Sequence, residues 1–565
     1  MKKTFYILTL FLFSVNCLAT NYYVATNGNN GNPGTLAQPW ATWAYAFTST
    51  SVNAGDTVFI RGGVYNTTVT NGSGLSVTRA GNSSNWIVYT NYPGETPILE
   101  CSAATPSGQY NTGISLSRRT TGNYVKLRGL TVRNVLQNRD DVMVWAIGFS
   151  CDNGFYTFEN CTAYNIEGVG FESYFYDGWS DVDGIHRFIN CDAYNCSNPE
   201  VIPGYLPGNN GSGFSSTSFT GTAGHAYATG CRAWNCGDQG FVFSGEHYCE
   251  TTNCWSFDNG DLQGDGHGFK IGWHSLVYPE TGRLNVVLSN CISAYNRYSG
   301  ITTNDAQGVA TGMNVYNNLI YRNGYYGSIY GIYVYDTPDN ATNELLRIFR
   351  NNISFDNEYG EVYVASGASY THSNNSWDGG ATITGDDFDA LPATQEAGIT
   401  LLSGARQADG SLPSLGSYFS LTAGSDAIDA GIDVGLDYYG LAPDLGAIEY
   451  GSDDPTGSDI LTFVLAEQTA AATINTTAHT VAIEVNYLAT ITNLTPYIAV
   501  SYGATISPES MTSRDFTTPQ TYTVTALDGT TTQEWTVTVT EAEGVPIGVS
   551  HNGKWVLHND KIVKL

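Results

Sequence analysis

The sequence predicts an all-β protein: a long parallel β-helix of stacked coils followed by a small β-sandwich. Three observations carry this expectation. A short phrase recurs along the chain at intervals of one coil or slightly more. No stretch of ten or more residues shows the 3.6-residue apolar period that a helical solenoid requires. Charged residues are only 13% of the chain, while Gly, Asn, Thr, Ser and Tyr abound, a composition suited to short strands and tight turns.

The recurring phrase is Asn160-Cys161-Thr-Ala-Tyr-Asn165, Asn190-Cys191-Asp-Ala-Tyr-Asn195, Gly230-Cys231-Arg-Ala-Trp-Asn235 and Asn253-Cys254-Trp-Ser-Phe257. It continues as Asn290-Cys291-Ile-Ser-Ala-Tyr-Asn296, Asn317-Asn318-Leu-Ile-Tyr-Arg-Asn323 and Asn351-Asn352-Ile-Ser-Phe-Asp-Asn357. From Cys161 to Asn352 the steps are 30, 40, 23, 37, 27 and 34 residues. The shortest step is about one coil, and the excess in the others is loop. The Asn before each cysteine is expected at a turn, where stacked amides can satisfy backbone groups of neighbouring coils.

A second phrase, Gly170-Phe171, Gly213-Phe214, Gly240-Phe241, Gly268-Phe269 and Gly300-Ile301, follows within most repeats. Alternate side chains of a strand point to opposite faces. If the aromatic and aliphatic residues fill the core, the residues after them form an outward column: Glu172, Ser215, Val242, Lys270 and Thr302. Cys161, Cys191, Cys231, Cys254 and Cys291 share one register, which reads as a column of small buried side chains rather than metal ligands. Cys196 and Cys236 are a second matched pair, and an oxidising compartment would allow a disulfide between them.

The termini add an export signal and a second domain. Lys2 and Lys3, the apolar run Phe5–Phe13 and Cys17-Leu18-Ala19 predict a signal peptide over 1–19, with lipidation of Cys17 the competing reading. Tyr22 to Tyr65 reads as strand, loop, short helix over Trp40–Phe47 and strand, the helix covering the open first coil. The β-helix domain is expected over 20–452, with Asp426-Ala-Ile-Asp-Ala-Gly431 and Pro443–Tyr450 closing its far end. Both ends resemble those of many secreted bacterial β-helix proteins. A linker over 453–458, a Thr/Val/Ile-rich sandwich over 459–543 and a tail over 544–565 complete the division. The sandwich resembles the Ig/cadherin-like appendages of Bacteroidetes surface proteins, which implies a spacer or glycan-binding module and cell-surface attachment. Lys561-Ile-Val-Lys-Leu565 resembles the last motif of type IX secretion signals. No other segment is apolar enough for a membrane span.

With 23 Lys+Arg against 52 Asp+Glu, the net charge of -29 excludes nucleic acid as an expected partner. It also repels acidic glycans at long range, so such a substrate requires a local binding groove. The segment Asn253–Ser275 places Lys270 in the outward column, on a strand whose rigidity suits proton abstraction. Val242 precedes it in the column, and an apolar neighbour would favour the neutral amine that a base needs. His267 and His274 flank the lysine and can donate protons or bind substrate. Trp179 and Trp273, with Tyr174, Phe175 and Tyr176, are candidate sugar-stacking aromatics.

Gly268-Phe269-Lys270-Ile271-Gly272, after an Asn-Gly-rich turn and an Asn-Cys coil, resembles polysaccharide lyase family 9. That family comprises right-handed parallel β-helix pectate and rhamnogalacturonan lyases. The resemblance implies that Lys270 removes the proton α to a uronate carboxyl and starts β-elimination. It covers about Val125–Tyr335. The family's calcium carboxylates fall at Ser212, Asp238, Gln239 and Val242, of which only Asp238 is acidic, so calcium as cofactor rests on Asp238 or on a rebuilt site at Asp181 and Asp183.

Two further readings compete with a secreted lyase acting on a pectin-like, rhamnogalacturonan-like or marine uronate polymer. One is a β-helix glycoside hydrolase with Glu172 and Asp238 as paired carboxylates, whose neutral substrate would not oppose the charge. The other is a non-catalytic glycan-binding or adhesin solenoid, because fold alone does not confer activity.

Overall fold

A computed structural model describes residues 19–542, 550–551 and 554–555, apart from 70–73, 106–109, 118–122, 139–144, 177–183, 200–205, 219–223, 245–246, 261, 273–283, 304–311, 327–328, 336–346, 369, 439–441, 451–456, 471, 488, 502–503 and 527–528. The chain divides into two compact units, Met1–Tyr450 and Gly451–Leu565.

The first unit is the β-helix. Three parallel sheets run its length, and each complete coil gives one strand to each sheet. A twelve-stranded sheet runs from Asn21–Val24 to Thr371–Ser373, a ten-stranded sheet from Gly63–Asn66 to Ile353–Phe355, and a second ten-stranded sheet from Leu75–Val77 to Val362–Val364. The last of these carries Lys270, within the strand His267–Ile271. Its inward residues stack in register: Phe149, Phe171, Phe214 and Phe241 lie face to face at 4.7–4.8 Å with interplanar angles of 4–5°, and Phe269 follows at 5.0 Å. The glycine before each is a close approach. A Cβ on Gly240 or Gly268 would lie 1.9 or 2.1 Å from the hydroxyl of Ser256 or Ser293, hydroxyls on the adjoining sheet.

The recurring Asn sits at a sharp corner. Asn160, Asn190, Asn253, Asn290, Asn317 and Asn351 all adopt positive φ of 51–59°, and Gly230 takes the same role at 63°. This left-handed region is open to glycine and tolerated by asparagine. The residue after the corner points inward. Where it is cysteine, the amide of one coil donates to the sulfur of the next: Cys191 N to Cys231, Cys231 N to Cys254 and Cys254 N to Cys291, at 3.3–3.4 Å. Below Cys291 the same register is held by Asn318, Asn352 and Asn375, whose amides form an oxygen ladder at 3.0–3.1 Å. Cys196 and Cys236 head a second such column, which continues as Asn259, Asn296, Asn323 and Asn357. Both cysteines are free buried thiols, so the disulfide allowed from the sequence does not form here.

The helix Trp43–Thr48, capped by the Thr42 hydroxyl, buries Trp43, Ala46 and Phe47 against the first coils. At the other end the chain turns back along the sheet that contains Trp255–Phe257, Ile292–Ala294 and Leu319–Tyr321. Leu402, Leu412, Phe388 and Phe419 bury its outer face. Arg232 and Arg406 both clasp the buried Asp192 carboxylate, and Arg232 also donates to the Leu402 and Gly404 carbonyls. This return segment covers the sheet next to the one that carries Lys270.

The second unit has a two-stranded antiparallel sheet, Ile460–Val464 with Tyr497–Val500, and a five-stranded sheet of Thr473–Asn475, Thr480–Val485, Thr532–Glu541, Gln520–Thr525 and Thr505–Ser507. Thr480–Val485 alternates exposed and buried residues. Val481, Ile483 and Val485 pack with Trp535, Val537 and Phe463 in its core. Among the described residues no helix is long and apolar enough to cross a membrane.

Candidate active site

Lys270 lies in an outward column with one residue per coil: Glu172, Ser215, Val242, Lys270, Thr302, Tyr333 and Tyr363 pair successively in parallel register. The column is less open than the strand alternation implies. Glu172 is 1% and Thr302 0% exposed. Burial pushes the Glu172 carboxyl up to about 7, with a hydrogen bond from the Tyr174 hydroxyl pulling the other way. The carboxyl pair proposed from Glu172 and Asp238 is therefore not presented to solvent as the hydrolase reading requires.

The lysine does not stand in the apolar setting expected from Val242 alone. Its ammonium lies 3.6 Å from the Asp265 carboxylate, in the turn just before the strand. That turn is fastened by Arg297, whose guanidinium donates to the carbonyls of Leu262 (3.2 Å) and Gly264 (2.9 Å), and by the Tyr298 amide, which donates to the Gly266 carbonyl. Asp238 lies beneath the same turn, 8% exposed, and accepts from the amides of Asn210 (2.8 Å) and Asp265 (3.2 Å). Burial raises its pKa; Lys270 opposes the rise and the Asp265 charge adds to it. Asp265 escaped the sequence reading, although a glycine-flanked aspartate at the corner before the lysine strand was its signal.

His267 pairs with Gln239 on the strand ladder and is buried, its ring edge-on to Tyr298 at 5.5 Å. Burial, reinforced by the Lys270 charge, lowers its pKa to about 4. It is thus a neutral imidazole at neutral pH. Of the aromatic candidates, Phe175 is 2% exposed and stacks inside on His186 at 4.3 Å, so it is core and not platform. Trp179, Trp273, His274, Asp181 and Asp183 lie outside the described residues.

The donors at the calcium positions do not fit that ion. Ser212 gives its hydroxyl to the Gln239 side-chain oxygen at 3.1 Å, the Val242 side chain has no donor atom, and both Asp238 oxygens already accept backbone amides. Calcium takes six to eight oxygens and draws on several carboxylates. Among the described residues no three His, Cys, Asp or Glu side chains are grouped to hold a metal.

Comparison with known proteins agrees with this architecture. The family described as "Pel9A-like, right handed beta helix region" matches residues 22–375, and "SGBP, N-terminal" matches residues 460–539. Pectate lyase L of Dickeya dadantii is 29% identical over 447 residues, covering 76% of this chain and 90% of that protein. Pectate lyase PEL9 of Emericella nidulans is 24% identical over 457 residues, covering 74% and 95%. Among solved structures, pectate lyase Pel9A matches with a TM-score of 0.58 and 26% identity, over 76% of this chain and 96% of that one. The chain belongs to the Pel9A-like right-handed β-helix family and is, with these relatives, a polysaccharide lyase.

Proposed function

We propose that this protein is an exported enzyme that cleaves a uronic-acid-containing polysaccharide by β-elimination, with Lys270 as the base. The observation that carries the reading is the lysine's place: a side chain 19% exposed, on a rigid strand, in a sheet the return segment leaves uncovered. Relatives named as pectate lyases along most of the chain support a pectic substrate. In the reaction the neutral lysine amine takes the proton α to the uronate carboxyl. The electron pair forms a carbon–carbon double bond, the bond to the glycosidic oxygen breaks, that oxygen takes a proton from water, and the Lys270 ammonium returns its proton to solvent. Asp265 orients the amine, and no step is routed through calcium. The leader over 1–19 supplies export, and the second unit serves as a spacer or glycan-binding module at the cell surface.

The test is to incubate the protein with polygalacturonate, rhamnogalacturonan and a marine uronate polymer while following the ultraviolet absorbance of unsaturated products. Wild type is expected to generate that absorbance and Lys270→Ala to lose it while still binding polymer. Retained turnover in Lys270→Ala sinks the assignment. Reducing ends without absorbance would mean a hydrolase, and neither signal would mean a binder. A parallel series with chelator separates a calcium-dependent from an independent reaction.

A further inference from the structure

The outward column changes character on passing Lys270. Before it stand Ser76, Ser115, Ser150, the covered Glu172, Ser215 and Val242; after it come Thr302, Tyr333 and Tyr363. Coils stack about 4.8 Å apart, so Tyr333 lies on the order of 10 Å and Tyr363 about 14 Å from the lysine along the helix axis. The two rings are 4.8 Å apart, and Tyr330 lies 5.2 Å from Tyr363. Tyr359 stands edge-on to Tyr330 and is 56% exposed. At the corner beside them Tyr298 and Tyr326 stack at 18°, with the Arg297 guanidinium 3.8 Å from the Tyr326 ring centre, and Tyr326 is 55% exposed. Tyr298 also meets His267 edge-on, which makes the strip continuous with the lysine site.

A core explanation does not account for these rings. They lie on the outer side of the coils, and Ile301, Ile332 and Val334 fill the inside. Phenol rings offer apolar faces to the apolar faces of pyranoses and hydroxyls to sugar oxygens, with no charge that a -29 protein must balance. One coil advances about as far as one sugar of an extended glycan, so successive tyrosines match successive residues of one chain running along the helix axis.

We propose that Tyr330, Tyr333, Tyr359 and Tyr363, with Tyr298 and Tyr326 at the corner, bind two to three sugar residues of the glycan on the C-terminal side of Lys270. The strip is thus the determinant of polymer over oligomer use. This inference rests on the lyase reading for its substrate.

The experiment compares wild type with Tyr333→Ala, Tyr333→Phe and the surface variant Tyr359→Ala, each checked by thermal melting. On polygalacturonate and rhamnogalacturonan, and on trisaccharides cut from them, initial rates of ultraviolet absorbance give kcat/KM. The polymer-to-trisaccharide ratio should fall about tenfold in the alanine variants, equivalent to ~1.4 kcal/mol of lost binding, and by much less in Tyr333→Phe. An unchanged ratio in Tyr333→Ala and Tyr359→Ala overturns the strip. Retardation in gels cast with the same polymers separates this from the lyase reading. If wild type makes no unsaturated product but is retarded, and the alanine variants less so, the strip stands and the lyase chemistry falls. Retardation indifferent to the tyrosines, or none in either gel, overturns the strip.

Discussion

The Lys270 ammonium and the Asp265 carboxylate face each other at 3.6 Å across the corner where the turn enters the strand. The acid is about half exposed, and an ion pair so open to water contributes at most about 1 kcal/mol. Its larger consequence is positional: the carboxylate fixes where the amine stands above the strand. Asp265→Asn is therefore expected to lower kcat on polygalacturonate several-fold while KM changes little, with little change in melting temperature. An unchanged kcat would show that Asp265 does not position the base.

Glu172 yields a pH prediction. Burial raises its carboxyl from 4.5 to about 7, so between those values the folded protein holds a proton that the unfolded chain has released. Stability therefore falls as pH rises through that window, by on the order of 3 kcal/mol for a shift of this size. Glu172→Gln keeps an oxygen for the Tyr174 hydroxyl and removes the titration. Urea midpoints at pH 5 and pH 8 should show the variant gaining on wild type at the higher pH. Equal differences at both would refute the assignment.

The coil was legible in the sequence because its corners demand a left-handed backbone, and the resulting Asn-Cys phrase survives long insertions. The Gly-Phe phrase likewise fixed the register of Lys270, since both the close approach to Ser293 and the ring stack are local requirements. Exposure was not legible. Alternation says which side of a strand a residue leaves, but not what lies above it, so Glu172 and Thr302 read as open when they are covered. Phe175 failed for the converse reason: past the end of the Gly-Phe phrase the alternation returns it to the interior, where two histidines receive it. The tyrosine strip was missed because the phrase weakens to Gly331-Ile332-Tyr333 and then gains a residue before Val362-Tyr363.

The cysteine columns make a chemical prediction. Ten described cysteines are free and buried, and burial raises the thiols of Cys151 and Cys249 above their ordinary value. Thiolate is the reactive form. The folded protein should resist a thiol reagent such as dithionitrobenzoate without prior reduction, and unfolding in guanidinium should release all ten at once. Release only after reductant would reveal disulfides.

Asn296 is bonded on every side within its ladder. It accepts from the Asn259 amide (3.2 Å) and side chain (2.8 Å), and donates to the Ser256 carbonyl, the Ser293 hydroxyl and the Asn323 side-chain oxygen at 2.8–3.0 Å. Its side chain is fully buried, so water cannot replace what is lost. Asn296→Ala strands the Asn259 amide and the Ser256 carbonyl, and each unsatisfied buried group costs about 1–3 kcal/mol. The expected loss is therefore several times that of Asp265→Asn, and Ser256 and Ser293 also pack against the glycines that set the lysine strand. Asn296→Cys should recover part of it, because Cys254 and Cys291 show that sulfur can take an inter-coil amide at 3.3 Å. Urea midpoints ordered wild type, cysteine, alanine would support a ladder that works through its acceptors; an alanine variant as stable as wild type would show that packing alone holds the coils.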